Sequence, residues 1–343
     1  MKLPPIPSPD ATAAAAARRR QDTLTKPQGS LGQLEEISIQ LAALGKRSID
    51  RRVVIIMAAD HGVAAEGVSA YPSDVTPQMV LNFLHGGAAI NVLARQAHAR
   101  VTVVDIGVAA DLNPHEGLEL RKIMRGTRNM AREAAMTYQE AEAAIQVGMD
   151  VAKREIAQGL DIIATGDMGI GNTTPSAAIV SVITGEPVAR VTGRGTGIDD
   201  AGLARKIAAI EKAIALHQPD PKNPLDVLAK VGGLEIAGLA GVIIGAASDG
   251  IPVVIDGFIS GAAALIAYQL APEVKPYLIA AHQSVEIGHR VMLEYIGLHP
   301  LLNLNLRLGE GTGAVLAFHL IEAATRILNE MTTFDEAGVS EKE

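Results

Sequence analysis

Short apolar runs rich in β-branched residues recur along the chain, and each is followed by a glycine or an aspartate and then by a helical pattern. Five of these runs predict strands, with a weaker sixth candidate at 188–192; the five are 53–59, 101–105, 160–164, 251–255 and 277–281. Continuous apolar strands that alternate with helices are typical of a parallel sheet covered on both faces. The pattern therefore predicts an α/β fold.

Apolar positions at helical spacing predict helices between these strands, near 77–98, 139–158, 175–184, 199–216, 233–248, 257–270, 284–296 and 313–329. The first fifty residues differ, because they predict two helices, 11–24 and 33–44, and no strand. We expect them to form a small helical domain with the C-terminal part of the chain. The division that we predict is a large α/β domain at 50–290 and a small domain made of 1–49 with 291–343.

Composition narrows the classes of partner. The chain has 343 residues, of which 48% are hydrophobic, but only five Tyr, four Phe and no Trp. Small side chains suit closely packed helices and strands, whereas single-stranded nucleic acid is bound on aromatic platforms. The net charge is −8 and the longest basic run is Arg18–Arg20, so nucleic acid is not an expected partner. The chain has no cysteine, no apolar signal core at its N-terminus and no uninterrupted membrane-spanning stretch, so we expect a cytoplasmic protein without a membrane partner.

Candidate ligand-binding residues follow the predicted strands. In an open parallel sheet, ligands bind outside the carboxyl ends of the strands, where loops lead into helix N-termini. The first strand is followed by Asp60-His61-Gly62 and the fourth by Asp256-Gly257. His61 beside Asp60 indicates either a ligand contact or, more simply, a structural hydrogen-bonding pair, and the sequence leaves their role open.

The loop TGDMGIGNTTPS, at 165–176, follows the third predicted strand. We expect Thr174 to cap the next helix, with Pro175 at its first position. Gly169 and Gly171 leave backbone N–H groups uncovered before that helix, which suits a phosphate or carboxylate. A glycine turn between a strand and a helix is also common without any ligand. The loop has neither nucleotide-binding glycine pattern, so ATP and dinucleotides are not indicated.

Two further loops share the frame G-x-G-T-G, as GRGTG at 193–197 and GEGTG at 309–313. The first, with Arg194 and with Lys206 on the following helix, suits an anion, although Lys206 could equally be a solvated helix residue. The second presents a lone carboxylate, Glu310, with room for a flat ligand beside it. Glu310 could also be an acid that interacts with the helix dipole. Burial would raise its pKa and the following helix would lower it, and the sequence does not decide between them.

The sequence shows no pattern for a metal site and none for a covalent nucleophile. Its nine histidines have no HExxH or HxH spacing, and there is no GxSxG. We therefore expect no metal and no cofactor. The predicted site binds anions and offers a base.

Several segments together resemble the nicotinate-nucleotide:dimethylbenzimidazole phosphoribosyltransferase family. They run in the family's order from about residue 20 to 328 and include RQDTLTKPQGSLGQLEEIS, AADHGVAAEGVSAYPSDVTPQMVLNFLHGGAAIN, TGDMGIGNTTPSAA, VTGRGTGID, DGFISGAAAL and RLGEGTGAVLA. The resemblance implies a Rossmann-like sheet with a small helical domain from both chain ends, and usually a homodimer. It implies transfer of 5-phosphoribose from nicotinate mononucleotide to 5,6-dimethylbenzimidazole, giving α-ribazole 5′-phosphate and nicotinate in cobalamin biosynthesis.

The resemblance and the residue chemistry together suggest roles for the site. The phosphate is expected at Gly169, Gly171, Gly195, Lys206 and Ser284, and the ribose hydroxyls at Asp256 beside Gly257. By resemblance, the benzimidazole lies in a slot around Ser69, Gln78 and Leu308, with Glu310 as general base. A second acid stabilises the positive charge on the ribose. The family commonly has Glu at that position, whereas this chain has Asp167, one methylene shorter.

Two other functions fit the same residues. One is a phosphorylase-like transferase that uses free phosphate as its nucleophile. The other is a non-catalytic protein that binds a ribotide, with Asp167 as the sign of lost chemistry. The presence of Glu310 and Lys206 argues against the second alternative.

Overall fold

The computed structural model describes residues 1–340 and contains one six-stranded sheet in which every pairing is parallel. The strands are β1 Arg52–Ala59, β2 Ala99–Gly107, β3 Leu118–Leu120, β4 Ile162–Met168, β5 Val253–Ile255 and β6 Leu278–Ala280. Their order in the sheet is β3-β2-β1-β4-β5-β6, the order of Rossmann-type sheets. The predicted α/β class with a parallel sheet is confirmed.

Fourteen α-helices lie within the described residues. They are α1 Ala11–Thr23, α2 Gln33–Ala43, α3 Val75–Leu84, α4 Ala89–Gln96, α5 Tyr138–Ala157, α6 Thr173–Thr184, α7 Val188–Val191, α8 Asp200–His217, α9 Pro224–Val231, α10 Leu234–Ser248, α11 Phe258–Leu270, α12 Ile287–Ile296, α13 Thr312–Glu330 and α14 Phe334–Ala337.

The sheet is buried on both faces, as its apolar strands predict. Every residue of β1 is buried, and alternate side chains enter different apolar clusters. Val53, Ile55 and Met57 pack with residues of α5, α6, α10 and α11, whereas Val54 and Ile56 pack with residues of α2 and α13. This is the two-residue period of a strand between two helical layers.

Small residues allow α5 and α10 to approach closely. A Cβ atom on Gly241 of α10 would collide with the backbone oxygen of Ile145, and one on Gly148 of α5 would collide with that of Gly238. The high content of small side chains therefore serves helix packing, in agreement with the expectation from composition.

Three secondary-structure predictions were wrong and three of the named elements were missed. The weak strand candidate at 188–192 contains the helix α7, because Pro187 leads into a turn that packs among helices α6, α8 and α12 rather than on the sheet. The helix predicted at 77–98 is two helices, broken where Gly86 has a φ of +75°. Thr174 does not begin α6, which starts one residue earlier, after Asn172. The missed elements are β3, only three residues long, the four-residue helix α14, and α9, although Asn223-Pro224 is a recognisable helix start.

Strand β4 is longer at its carboxyl end than its sequence predicts. The expected end was residue 164, but the parallel pairing with β1 continues to Met168. Gly166 and Asp167 have low strand propensity, yet they pair with Ile56 and Met57 of β1, and ladder hydrogen bonds outweigh such propensities. Asp167 therefore lies within the strand and not in the following loop.

The helices from the two chain ends lie together. α1 packs on α2, and both contact α13. Residues of α2 and α13 also share an apolar cluster with the sheet, for example Leu41 and Phe318 with Val54. The division into two domains stays a prediction. Among residues 1–340, no helix combines the length and the apolar character that crossing a membrane requires.

Candidate active site

A small pocket of about 110 Å³ lies at the carboxyl ends of the central strands. Its walls come from the three glycine loops and the segment after β6, and they comprise Asp167, Met168, Gly169, Ile170, Asn172, Thr173, Gly195, Thr196, Gly257, Phe258, Ile259, His282, Ser284, Glu286, Arg307, Leu308 and Gly309. Larger grooves of 530 and 490 Å³ lie elsewhere, against the N-terminal segment and between the terminal helices. The lining of the small pocket is where sequence and topology both predict a ligand.

Asp167 is one of the two acids in the pocket wall, and the other is Glu286. Its side chain is buried, and its Oδ2 accepts a hydrogen bond of 2.9 Å from the side-chain amide of Asn172. Its Oδ1 has no hydrogen-bond partner within the described residues. Burial raises the pKa of Asp167 well above its ordinary value, and repulsion from Asp256 and Glu235 raises it further. The group holds its proton more tightly than an exposed aspartate does.

Glu310 lies beside Asp167, on the loop that precedes α13. The loop passes close to the Asp167 carboxylate, since a Cβ on Gly309 would lie 3.2 Å from Asp167 Oδ2. Glu310 itself has a φ of +64°, a left-handed conformation that is strained for a side chain of this size. The conformation places its Oε2 3.2 Å from the backbone nitrogen of Ile90, in the first turn of α4. Strain of this kind is found where a loop must present one side chain.

Burial has a larger effect on the pKa of Glu310 than the helix N-terminus that faces it, and the net shift is upward. The pKa is raised by burial, lowered by the Ile90 N–H and raised again by Asp256. The helix that stabilises the charge is α4 and not the following helix α13, as the sequence had suggested. The first N–H groups of α13 bond to Asp256 instead.

Lys206 is completely buried, so the solvated-helix interpretation is wrong. Its Nζ donates to Thr173 Oγ1 at 2.7 Å and to the Gly193 carbonyl at 3.2 Å. Burial lowers its pKa to about 8, against an opposing effect from Glu286. The GRGTG loop meets α6 here, because a Cβ on Gly195 would lie 2.8 Å from Thr173 Oγ1. The ammonium group is thus held next to the loops predicted to bind an anion.

Asp256 and Ser284 follow β5 and β6, but only Ser284 belongs to the pocket wall. Asp256 is fully buried, and its two oxygens accept the N–H groups of Gly311 and Ala314 at 3.2 and 3.0 Å. It therefore holds the start of α13, and a contact with ribose would need a change in these bonds. Ser284 lines the pocket, and its N–H donates to His289 Nδ1. Gly257 lines it as well.

The residues expected around the benzimidazole are only partly brought together. Leu308 lines the pocket and is 58% exposed. Ser69 reaches the rim, with its Oγ 3.4 Å from Thr196 Oγ1. Gln78 is exposed on α3, and Gly171, with a φ of +89°, faces Ala64; neither belongs to the pocket wall in this structure. The roles of these residues stay predictions.

Asp60 and His61 are buried and have separate partners. His61 Nε2 is 2.8 Å from Glu235 Oε1, and Asp60 Oδ2 accepts from the Ala109 N–H. The two do not form a pair with each other, but both make buried structural hydrogen bonds. Through Glu235, this part of the structure raises the pKa of Asp167.

Asn172, Arg307 and Glu286 are among the pocket residues that the sequence did not predict. Asn172 lies within the motif 165–176 and could have been noticed as an amide near Asp167. Arg307 immediately precedes Leu308, and its guanidinium donates to the Gly195 carbonyl at 3.2 Å. Glu286 has no motif of its own, and nothing in the sequence indicates that it faces the GRGTG loop. No group of three or more His, Asp or Glu side chains in residues 1–340 is arranged to hold a metal ion.

Comparison with known proteins gives a consistent result. The sequence model of the phosphoribosyltransferase family DBI_PRT matches residues 6–339. The chain is 63% identical over 336 residues to a protein of Chloroflexus aggregans and 59% identical over 335 residues to one of Geobacter sulfurreducens. Each alignment covers 97% of this chain and 95% of the relative, and both relatives are named nicotinate-nucleotide–dimethylbenzimidazole phosphoribosyltransferase.

A crystal structure of the protein with that name from Thermus thermophilus has the same fold. The TM-score is 0.92 at 50% identity, over 97% of this chain and 100% of the other. The family match spans nearly all of the chain, and the relatives agree in name and in length. The chain belongs to the DBI_PRT phosphoribosyltransferase family.

Proposed function

We propose that this protein transfers the 5-phosphoribosyl group of nicotinate mononucleotide to 5,6-dimethylbenzimidazole, giving α-ribazole 5′-phosphate and nicotinate. The observation that carries the proposal is the joint placement of two carboxyl groups and an ammonium group. Asp167 lies against Gly309, the residue before Glu310, and the charge of Glu310 contributes to the raised pKa of Asp167. Glu310 is not part of the pocket wall itself, and Lys206 lies beside a glycine loop that is. The names of the relatives agree with it.

The phosphate binds at the end of the pocket formed by the GRGTG loop and α6. Lys206 supplies a charge, and Arg307 lies across the same loop. Ser284 adds a hydroxyl at the wall. A dianionic phosphate is stabilised by charge-assisted hydrogen bonds of this kind.

The base binds beside Leu308 and Gly309, where its flat ring can pack on an exposed apolar side chain and reach Glu310. A ring nitrogen attacks C1′ of the ribose, and the bond from C1′ to the nicotinate nitrogen breaks. The electron pair of that bond neutralises the pyridinium ring. The proton on the other benzimidazole nitrogen passes to Glu310, which must therefore be ionised at the start.

Asp167 stabilises the positive charge that develops on the ribose as the leaving group departs. Nicotinate mononucleotide itself carries a positive pyridinium ring. A positive ring bound beside Asp167 favours the ionised form of the carboxyl group and so opposes the effect of burial on its pKa. The shorter side chain keeps the charge, and the Asn172 amide orients it.

The test is incubation of the purified protein with nicotinate mononucleotide and a panel of bases in phosphate-free buffer, with products identified by mass. Formation of α-ribazole 5′-phosphate and nicotinate supports the transferase. Turnover that requires added phosphate and releases ribose 1,5-bisphosphate indicates the phosphorylase alternative. Tight binding without any product indicates a ribotide-binding protein.

A homodimer and a cytoplasmic location, both expected from the sequence and the resemblance, stay predictions. Dimethylbenzimidazole is the proposed base, and the panel would show whether other flat bases compete.

A further inference from the structure

The anion site expected at the GRGTG loop already contains a carboxylate of the protein. The Gly195 N–H donates to Glu286 Oε1 at 2.9 Å. Glu286 belongs to the pocket wall. Its other oxygen, Oε2, lies so close to Gly193 of the GRGTG loop that a Cβ atom on that glycine would collide with it. The interaction of Glu286 with Lys206 opposes the effect of burial on the lysine pKa. The carboxylate therefore occupies the donors that a phosphate would use.

Glu286 is poorly satisfied in this position. The residue is 7% exposed, and its Oε2 has no hydrogen-bond partner in residues 1–340. Among residues 1–340, no lysine or arginine nitrogen lies within 4.0 Å of the Glu286 carboxylate oxygens. A buried carboxylate with a free oxygen and no ion pair is unfavourable, because burial removes its hydration. Such a group is easily exchanged for a better ligand of the same charge.

We propose that Glu286 is a specificity-determining residue that occupies the phosphate site of the free enzyme and is displaced by the substrate's phosphate. A single weak anion gains too little to displace it, whereas a dianionic phosphate anchored by a ribose and a ring does so. This proposal rests on the proposed function, since it takes the phosphate of nicotinate mononucleotide as the natural displacing group.

The size of the pocket agrees with the displacement. Sites for small molecules and cofactors usually measure about 300–1,000 Å³, several times the 110 Å³ of this pocket. Glu286 is the residue before α12, and its neighbours Val285 and Ile287 are 45% and 58% exposed. Glu286 thus lies in a segment that reaches solvent. The displacement is a rotation of its side chain toward that solvent. It would free both the Gly195 N–H and part of the volume that the phosphate requires.

Glu286→Gln tests the proposal by calorimetric titration with three probes: inorganic phosphate, nicotinate mononucleotide and nicotinate riboside. The glutamine keeps the shape and still accepts from the Gly195 N–H, but it has no charge to hold the site or repel an anion. A site that is blocked nine times in ten weakens apparent affinity about tenfold. We expect Glu286→Gln to bind phosphate and the mononucleotide about tenfold more tightly, with riboside affinity unchanged.

Glu294→Gln is the matched control, because Glu294 lies on the same helix α12, is exposed and, among residues 1–340, pairs only with Arg290. It removes the same charge away from the pocket, so its affinity for all probes should equal that of the wild type. Unchanged or weaker phosphate binding by Glu286→Gln would overturn the proposal. Weaker binding of both mononucleotide and riboside would instead make Glu286 a contact of the ribose.

Thermal unfolding of each variant shows whether it is folded, and if Glu286→Gln is not, Glu286→Ala serves for the same titrations. A folded Glu286→Ala with no gain for phosphate also overturns the proposal. Failure of the proposed function would be visible separately, as wild-type protein that binds the mononucleotide but forms no product with any base.

Discussion

At the scale of single residues, the site is dominated by buried carboxyl groups that raise one another's pKa. Burial is the largest cause for Asp167, Asp256 and Glu310, and the three repel one another in addition. His282 partly compensates Asp256. Such a cluster is unfavourable in the free protein but suited to the positive pyridinium ring of the substrate and to a positively charged transition state.

Glu310→Gln should lower kcat by about 10²–10⁴-fold, because glutamine keeps the hydrogen bond to Ile90 but cannot accept the base's proton. The pKa of Glu310 is raised, so wild-type kcat should fall as pH decreases through a value above the ordinary 4.5. The measurement is steady-state kinetics between pH 4.5 and 9. Near-normal turnover of Glu310→Gln at neutral pH would reject Glu310 as the base, while the family membership would stand.

Lys206 should make nucleotide affinity decrease as pH rises through about 8, because the lysine loses its charge there. A charge-assisted contact of this type is worth about 1.5–3 kcal/mol, so the decrease should reach about tenfold or more. Titration of nicotinate mononucleotide between pH 7 and 10 measures it. Nicotinate riboside, which lacks the phosphate, serves as control. Lys206→Met should remove the pH dependence, and a mononucleotide curve parallel to that of the riboside would speak against the assignment.

At the scale of elements, the active-site loops are fixed by close backbone approaches rather than by long side chains. Glycines of β4 and of the GEGTG loop meet, since a Cβ on Gly166 would collide with the backbone oxygen of Glu310. Asp256 holds the same loop through the N–H groups of Gly311 and Ala314. The strand, the loop and α13 thus position Glu310 together.

Gly166→Ala should displace this loop and lower kcat at least about tenfold, because small displacements of a catalytic group have large effects on rate. Gly185→Ala is a suitable control, since Gly185 has a φ of +75° at the end of α6 but open space around it. It should lower stability by about 1 kcal/mol without changing kcat. Steady-state kinetics measures kcat of both variants, and thermal unfolding measures their stability. Equal kcat in the two would contradict the positioning role of the contact between Gly166 and the backbone of Glu310.

At the scale of the whole molecule, the apolar runs were enough to predict five of the six strands, their parallel direction and the edge of the sheet at which the pocket lies. The apolar runs were not enough to predict where β4 ends. Its extension to Asp167 depends on pairing with β1, which the local sequence does not encode. The burial of Lys206 was also not predictable, since one lysine on a helix has the same pattern whether solvated or enclosed. Glu286 reaches the GRGTG loop from 91 residues away, and no spacing rule links the two.

The stability of the whole molecule should reveal the unfavourable cluster. A carboxyl group with a raised pKa binds more protons in the native state than in the unfolded state, so its contribution to stability decreases as pH rises from the ordinary value, 3.8 for Asp167, to the raised one. Each unit of the shift corresponds to about 1.4 kcal/mol. Asp167→Asn keeps an oxygen for the Asn172 amide but has no charge, so it should melt above the wild type at pH 8, with a difference that decreases toward pH 4 and a lower kcat throughout.

Asp161→Asn provides the opposite case in the same thermal melts. Burial raises the pKa of Asp161, but hydrogen bonds and charge from Arg51 outweigh it, and the net shift is downward. A lowered pKa contributes stability that is present above 3.8 and lost as pH falls, so Asp161→Asn should melt below the wild type at pH 8 and approach it in acid. If Asp167→Asn also melted below the wild type at pH 8, the Asp167 carboxylate would be stabilising rather than strained. The cluster of carboxyl groups would then stabilise the fold, and it would not be held at a cost in stability for binding the pyridinium ring and the charged transition state.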